Sequence, residues 1–176
     1  GPIGGAIFGF FYAPIVITGM HHSFTAVETQ LLADIATTGG SFIFPVAAMS
    51  NVAQGAAALS VLLILKKDNK MKGIASASGI SALLGITEPA IFGVNLKLRY
   101  PFYGAMIGSA VSSAYIMLTK VLALAPGAAG LPGIISIRPD SMINYIIGMA
   151  ISMGVAVVST IILAKTTAKK ENLEVA

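Results

Sequence analysis

The sequence predicts an all-α integral membrane protein, a multi-spanning helical bundle with one or two re-entrant elements. Of its 176 residues, 56% are hydrophobic and only 10% are charged, whereas a soluble domain carries about 25% charged residues. The mean hydropathy is +0.86, and the charges gather in a few clusters separated by long apolar runs. So few charged residues cannot cover a soluble surface, and we therefore expect lipid to contact much of the protein.

Four apolar stretches approach the length of about 20 residues that a spanning helix needs. They cover residues 3–20, 42–65, 102–124 and 143–164, and each is expected to form a transmembrane helix. The Gly- and Pro-rich connection at residues 125–141 is too broken for a helix. We expect it to be an external loop.

The stretch at residues 73–96 is apolar but is interrupted by glycines, serines, Glu88 and Pro89. Lysine-rich clusters lie at residues 66–72 and 165–170, and the positive-inside rule places both in the cytoplasm. With both clusters inside, the interrupted stretch begins and ends on the same side of the membrane. It is therefore predicted to enter and turn back, or to cross twice in short pieces, while lining a cavity or lying buried in protein.

Residues 34–45, DIATTGGSFIFP, break helical periodicity in a similar way. They are expected to form either a second, shorter re-entrant element or an ordinary external loop, and the sequence favours neither. Two interrupted apolar segments in one chain are typical of transporters built on broken helices.

Glu88 is the most informative single residue, because a carboxylate inside an apolar segment costs a few kcal/mol and normally marks a pathway or a site. It lies in GITEPAIFG, where Pro89 has no N–H and the glycines allow close approach to the backbone. A carboxylate presented there can accept hydrogen bonds from sugar hydroxyls. The alternative is a structural Glu88 paired with a basic neighbour.

His21 and His22 end the first apolar run and offer hydrogen-bond donors and acceptors suited to a polyol. The competing interpretation is a pair of helix-end histidines that simply face water. No metal or other cofactor is expected, because adjacent histidines point in different directions and Glu28 and Asp34 follow no recognised ligand spacing.

Asn51 and Gln54 lie three residues apart in MSNVAQG, on one face of an apolar helix. Both can therefore face the same cavity and bind a polar solute. The same amides can instead hydrogen-bond between helices.

The chain contains no cysteine, which excludes disulfides, thiolate metal sites and a cysteine nucleophile. Its net charge of +4 does not indicate nucleic-acid binding, because the basic residues lie beside apolar runs instead of interleaving with aromatic residues. No nucleotide-binding loop or nucleophile elbow is present. The residues alone predict a membrane transporter with a polar site, and the chain, which begins inside an apolar stretch, is expected to be a fragment.

Three stretches, GITEPAIFGVNLKLRYPF, VITGMHHSF and MSNVAQG, resemble the membrane-embedded IIC domain of phosphotransferase-system sugar permeases in the glucose, glucoside and sucrose group. The resemblance covers essentially all of residues 1–176, which would correspond to the C-terminal half of a IIC domain, and is greatest to sucrose permeases. It implies that Glu88 is the family's sugar-binding glutamate, with Thr87 beside it in the same motif. It also implies that His21 is the histidine of the G-x-H-H or G-x-H-W motif, while His22 is shared by only some branches.

The resemblance implies a homodimeric permease of the bacterial inner membrane that also acts as a protein-phosphocysteine–sugar phosphotransferase. In such systems a cysteine of a IIB domain donates the phosphoryl group, which it receives through IIA and the phosphocarrier HPr. Expected partners are therefore a phosphorylated IIB domain, the N-terminal half of IIC, a second copy, the bilayer and a disaccharide. Sucrose is the first expectation, and trehalose or a β-glucoside is the alternative.

Two other function classes stay open at this point. A secondary transporter or channel would move its solute unmodified and use Glu88 as an ion or proton site. A membrane anchor would use the helices for packing alone.

Overall fold

A computed structural model describes residues 1–65 and 68–171, most of which form helices. Part of the charge pattern lies outside the described residues, namely Lys66, Lys67, Glu174 and the side chains of Lys169, Lys170 and Glu171. The helices are α1 (Pro2–Ile17), α2 (Phe24–Ala33), α3 (Ile35–Thr38), α4 (Ile43–Ile64), α5 (Asn69–Leu83), α6 (Glu88–Ala90), α7 (Leu96–Leu98), α8 (Tyr100–Leu118) and α9 (Met142–Glu171).

Three helices among the described residues are long and apolar enough to cross a membrane: Ile43–Ile64, Tyr100–Leu118 and Pro139–Thr167. The pair Pro2–Ile17 and Met20–Ala33 meets the same criteria only when taken together, and it is bent by 117° at its break. The predicted all-α, multi-spanning fold class is therefore confirmed. The first predicted span, however, is a broken span or a re-entrant loop, because α1 has only 16 residues where a straight crossing needs about 20.

The neighbours of α8 run antiparallel to it. Gly5 near the start of α1 lies against Met117 near the end of α8, and Gly148 near the start of α9 lies against Ile116. Small residues at these contacts let the helix backbones approach closely, as is usual for helices packed in a membrane.

α4 lies at the centre of the bundle and is buried over most of its length. It packs against α5, α8 and α9, and the Ser152 hydroxyl of α9 donates a 2.7 Å hydrogen bond to the Met49 carbonyl of α4. A helix with so few polar side chains is stable only when it is surrounded in this way or by lipid.

The interrupted stretch forms a helical hairpin. α5 is the first arm, residues 84–87 form the turn, and α6, a π-helical stretch at Ile91–Asn95 and α7 form the return arm. Gly93 of the return arm lies against Ile74 of α5, so the two arms lie side by side and begin and end at the same end of the bundle. The stretch therefore turns back instead of crossing once, as predicted for residues 73–96, and the hairpin fits both a re-entrant element and two short crossings.

Three connecting segments meet where α4 and α9 begin and α8 ends, which we call the bridge end. Ser41 pairs with Ala123, and Ala123 pairs with Ile137, in two antiparallel bridges. Residues 34–45 thus enter α4 through a turn tied to the bridge end. Residues 125–141, predicted as an external loop, contain the 3-10 helices Leu131–Ser136 and Pro139–Ser141.

Candidate functional site

Glu88 lies at the tip of the hairpin, as the first residue of the return arm. Its side chain is exposed, whereas Thr87 before it is only 4% exposed. The turn is held by hydrogen bonds in both directions, from the Ile86 N–H to the Ser81 carbonyl at 3.1 Å and from the Ser81 hydroxyl to the Ile86 carbonyl at 3.1 Å. The broken helix therefore presents one carboxylate at a fixed turn.

His21 and His22 lie in the 3-10 helix Met20–Ser23, directly after α1. Their rings are 4.0 Å apart between centroids and are tilted by 36°. Glu88 is close enough to His21 for its charge to act on the imidazole. The structure thus brings together the two residues on which the sequence prediction rested most.

An apolar cluster positions the end of α1 beside the return arm. Ala13 of α1 packs with Ile91 of the return arm and with Phe102 and Met106 of α8. Ile91 follows Glu88 by about one helical turn, so this contact places the histidine turn next to the hairpin tip. The Nδ1 atom of His21 faces the protein interior, whereas the imidazole as a whole is partly exposed.

Asn51 contacts the long connection between α8 and α9. Its Nδ2 atom donates a 2.8 Å hydrogen bond to the Ala129 carbonyl, and the hydroxyl of Tyr145 donates one of 2.8 Å to the Gly130 carbonyl. Gly130 in turn lies against Gly85 in the hairpin turn. The connection therefore folds back onto the hairpin tip, a contact that the sequence does not reveal.

Gln54 is 1% exposed and bonds the return arm of the hairpin. The Nδ2 atom of Asn95 donates to the Gln54 side-chain oxygen at 2.7 Å and to the Gln54 carbonyl at 3.0 Å. Asn51 and Gln54 therefore bind different segments, although they share a helix face. Asn95 was not among the residues predicted from the sequence. It could have been found by the pattern that indicated Gln54, which is a side-chain amide within an apolar segment.

Within residues 1–65 and 68–171, no group of three His, Asp or Glu side chains lies close enough together to hold a metal ion. Glu28, considered above as a ligand, accepts a 2.8 Å hydrogen bond from the Ser41 hydroxyl. It ties α2 to the start of α4.

The arrangement at the hairpin tip suits a polyhydroxyl ligand. The carboxylate of Glu88 accepts hydrogen bonds, while an imidazole donates or accepts them according to its protonation and tautomer. Both groups belong to turns that are held by packed helices, and small-molecule sites typically combine such a rigid frame with a few polar groups.

Comparisons with a family model and with curated proteins point to the same family. Residues 1–109 match the family model "Phosphotransferase system, EIIC". The sucrose-specific EIIBC component of Vibrio alginolyticus is 68% identical over 163 residues, which cover 93% of this chain and 34% of that protein. The sucrose-specific EIIBC component of Staphylococcus xylosus is 65% identical over 153 residues, or 86% of this chain and 32% of that protein.

A trehalose-specific EIIBC component of Bacillus subtilis is 52% identical over 149 residues, covering 85% of this chain and 31% of that protein. The chain thus spans about a third of the length of these curated relatives. No solved structure gives a significant match. Because the family model covers α1 to α7 and the first half of α8, with the histidine turn and the hairpin included, the chain belongs to the phosphotransferase-system EIIC family.

Proposed function

We propose that the chain is the sugar-binding part of a bacterial inner-membrane permease that couples sucrose uptake to sucrose phosphorylation. The observation that carries this proposal is the carboxylate of Glu88 at the hairpin tip, on a return arm that packs through Ile91 against α1, the helix that leads into the histidine turn. Relatives named sucrose-specific are 65% and 68% identical to the chain, and a relative named trehalose-specific is 52% identical. These identities favour sucrose over trehalose as the substrate.

In this proposal, residues 1–176 form the C-terminal half of a IIC domain. Glu88 accepts hydrogen bonds from sugar hydroxyls, and His21 bonds a further hydroxyl. Thr87, His22 and Asn51 are the further proposed contacts around the hairpin tip; of these His22 is exposed, whereas Thr87 is 4% exposed and Asn51 is bonded to the Ala129 carbonyl, so both reach the sugar only when the tip opens. Gln54 reaches the sugar only if its bonds to Asn95 open, so we assign it a different role below.

The phosphoryl donor must come from outside the chain, which has no cysteine. The sugar hydroxyl oxygen attacks the phosphorus of a phosphocysteine in a IIB domain, a new P–O bond forms, and the S–P bond breaks with a thiolate as the leaving group. Glu88 orients this hydroxyl, and the hydroxyl proton goes to the Glu88 carboxylate or to the departing thiolate. The remaining proposed partners are IIA and HPr upstream, the N-terminal half of IIC, a second copy of the permease and the bilayer.

Sucrose binding to the full-length permease in detergent tests the sugar site. Glu88→Gln and His21→Ala are each expected to weaken sucrose binding at least about tenfold, because Glu88→Gln replaces a charged acceptor with two oxygens by a neutral amide with one, and His21→Ala removes the imidazole. Glu28→Gln is the matched control, since it makes the same change where an amide oxygen can still accept from Ser41. Sucrose binding that is unchanged in Glu88→Gln would contradict the site.

Uptake of labelled sugar into membrane vesicles tests the coupling. We expect sucrose to accumulate as sucrose phosphate, and only when a phosphoryl donor is supplied. Uptake of free sucrose that needs no donor and collapses with an uncoupler would instead identify a secondary transporter. Stronger competition by trehalose than by unlabelled sucrose would reassign the substrate.

A further inference from the structure

We infer that Asn95 and Gln54 form a hydrogen-bonded latch that positions Glu88. The latch joins the return arm of the hairpin to α4, and it acts on the sugar through Glu88 instead of touching it. This inference rests on the proposed function, in which Glu88 binds the sugar.

The latch lies deep in the protein. Asn95 is 0% exposed and Gln54 is 1% exposed. A single nitrogen, Nδ2 of Asn95, donates to both oxygens of Gln54, at 2.7 Å to the side chain and at 3.0 Å to the backbone carbonyl. Two acceptors on one residue fix the direction of the Asn95 side chain as well as its distance from α4.

Asn95 is connected to Glu88 by continuous helical backbone. It ends the π-helical stretch Ile91–Asn95, which directly follows α6, and α6 begins at Glu88. A π-helical turn interrupts the regular α-helical register, and such turns are frequent at functional sites. The rotation of the return arm, and with it the direction of Glu88, therefore depends on what holds this stretch.

Apolar contacts hold the return arm in the bundle. Ala90 and Val94 share an apolar cluster with Ala58 and Val61 of α4 and with residues of α5. Such contacts are not directional, whereas a hydrogen bond has a preferred angle as well as a preferred distance. The latch therefore adds a directional restraint to the packing of the arm and to the bonds between Ser81 and Ile86 in the turn.

The latch is a poor device for stability alone. Nε2 of Gln54 and Oδ1 of Asn95 are buried and have no hydrogen-bond partner among the described residues. A buried polar atom without a partner costs free energy, and apolar side chains of the same shape can replace such a pair at little or no cost. The two amides therefore serve mainly to orient the return arm relative to α4.

Three variants of the full-length permease separate positioning from stability: Asn95→Leu, Gln54→Met and the double variant. Asn144→Leu is the matched control, because Asn144 accepts a 3.1 Å hydrogen bond from the Tyr115 hydroxyl between α8 and α9, away from the hairpin. Each protein is measured for its thermal unfolding temperature and for its sucrose dissociation constant.

Asn95→Leu is expected to bind sucrose at least about tenfold more weakly, and Gln54→Met, which keeps the carbonyl acceptor, about threefold more weakly. The double variant is expected to regain thermal stability but not sucrose affinity. Affinity that recovers together with stability would overturn the latch, and so would an equal loss of affinity in Asn144→Leu.

Hydrogen–deuterium exchange separates failure of the latch from failure of the proposed function. If the wild-type permease does not bind sucrose, the proposed function fails while the exchange measurement still decides about the latch. Amides of residues 85–98 are expected to exchange at least about tenfold faster in the double variant than in the wild type. Unchanged exchange there, in protein that is folded, would overturn the latch.

Discussion

Gly55 of α4 lies directly against Gly79 of α5, so closely that a Cβ atom on Gly55 would lie 2.8 Å from the Gly79 carbonyl oxygen. A Cβ atom on Gly79 would lie 3.1 Å from the Gly55 carbonyl oxygen. The contact is thus backbone against backbone and sets the distance between α4 and the hairpin. Because Gln54 is the neighbour of Gly55, this close approach also lets Gln54 reach the return arm.

Gly55→Ala is therefore expected to destabilise the protein by about 1–3 kcal/mol, since the added methyl group would force the α4 and α5 backbones apart. Gly73→Ala is the control on the same hairpin arm, because nothing lies within 4 Å of a Cβ atom there. It is expected to be neutral, or to stabilise α5 by up to about 1 kcal/mol. Unfolding of the full-length permease by a denaturing detergent measures both, and equal stability of the two variants would contradict the close contact.

Tyr145→Phe is expected to loosen the connection that covers the hairpin tip. The ring of Tyr145 is 0% exposed, and its hydroxyl donates to the Gly130 carbonyl, so the variant keeps the packing and loses one hydrogen bond. We expect a loss of about 1 kcal/mol in stability, together with faster hydrogen–deuterium exchange in residues 125–136. Tyr115→Phe, which loses the bond to Asn144, should leave exchange in this segment unchanged, and equal effects of the two variants would argue against a specific tie.

The hairpin could be predicted from the sequence because two independent constraints agree on it. The lysine clusters place both ends of residues 73–96 on the same side of the membrane. Glu88 and Pro89 make a straight apolar crossing unfavourable. Both constraints act along the chain and need no knowledge of neighbouring helices. The long apolar runs likewise predicted α4 to within about one residue at each end, and α8 and α9 to within about two residues at their starts, although α8 ends about six residues earlier and α9 about seven residues later than predicted.

The contacts around the tip could not be predicted, because they join segments far apart in sequence. Asn51 bonds Ala129, and His21 comes close to Glu88, only because α1, α4 and the hairpin pack together. Local pattern shows that a residue is polar within an apolar segment, but tertiary packing decides whether it faces a ligand, another helix or a loop. Gln54 illustrates this, since the pattern that suggested a sugar contact also fits its bond to Asn95.

Lys120→Gly is expected to stabilise the protein by about 1 kcal/mol, because Lys120 has a left-handed backbone with φ of 53° that costs an L-residue free energy. The residue directly follows the end of α8, where the Val121 N–H donates a 2.9 Å hydrogen bond to the Ile116 carbonyl. This is the Schellman arrangement, in which glycine is preferred. Lys165→Gly inside α9 is the control and should destabilise by about 1 kcal/mol; two losses of similar size in detergent unfolding would contradict the left-handed assignment.

The last prediction concerns which end of the bundle faces the cytoplasm. Arg138 and Asp140 form a 2.9 Å ion pair near the bridge end, with side chains that are 37% and 63% exposed, while Asp68 caps α5 at the opposite end through a 2.9 Å bond from the Met71 N–H. If the lysine clusters are cytoplasmic, the bridge end faces outwards. Asp140→Cys should therefore react with a membrane-impermeant maleimide in intact cells, and Lys70→Cys only after the membrane is permeabilised.

The chain has no cysteine of its own, so a full-length permease with its other cysteines replaced provides the unlabelled background. The opposite labelling pattern would show that the protein has the reverse orientation, with the hairpin entering the membrane from outside.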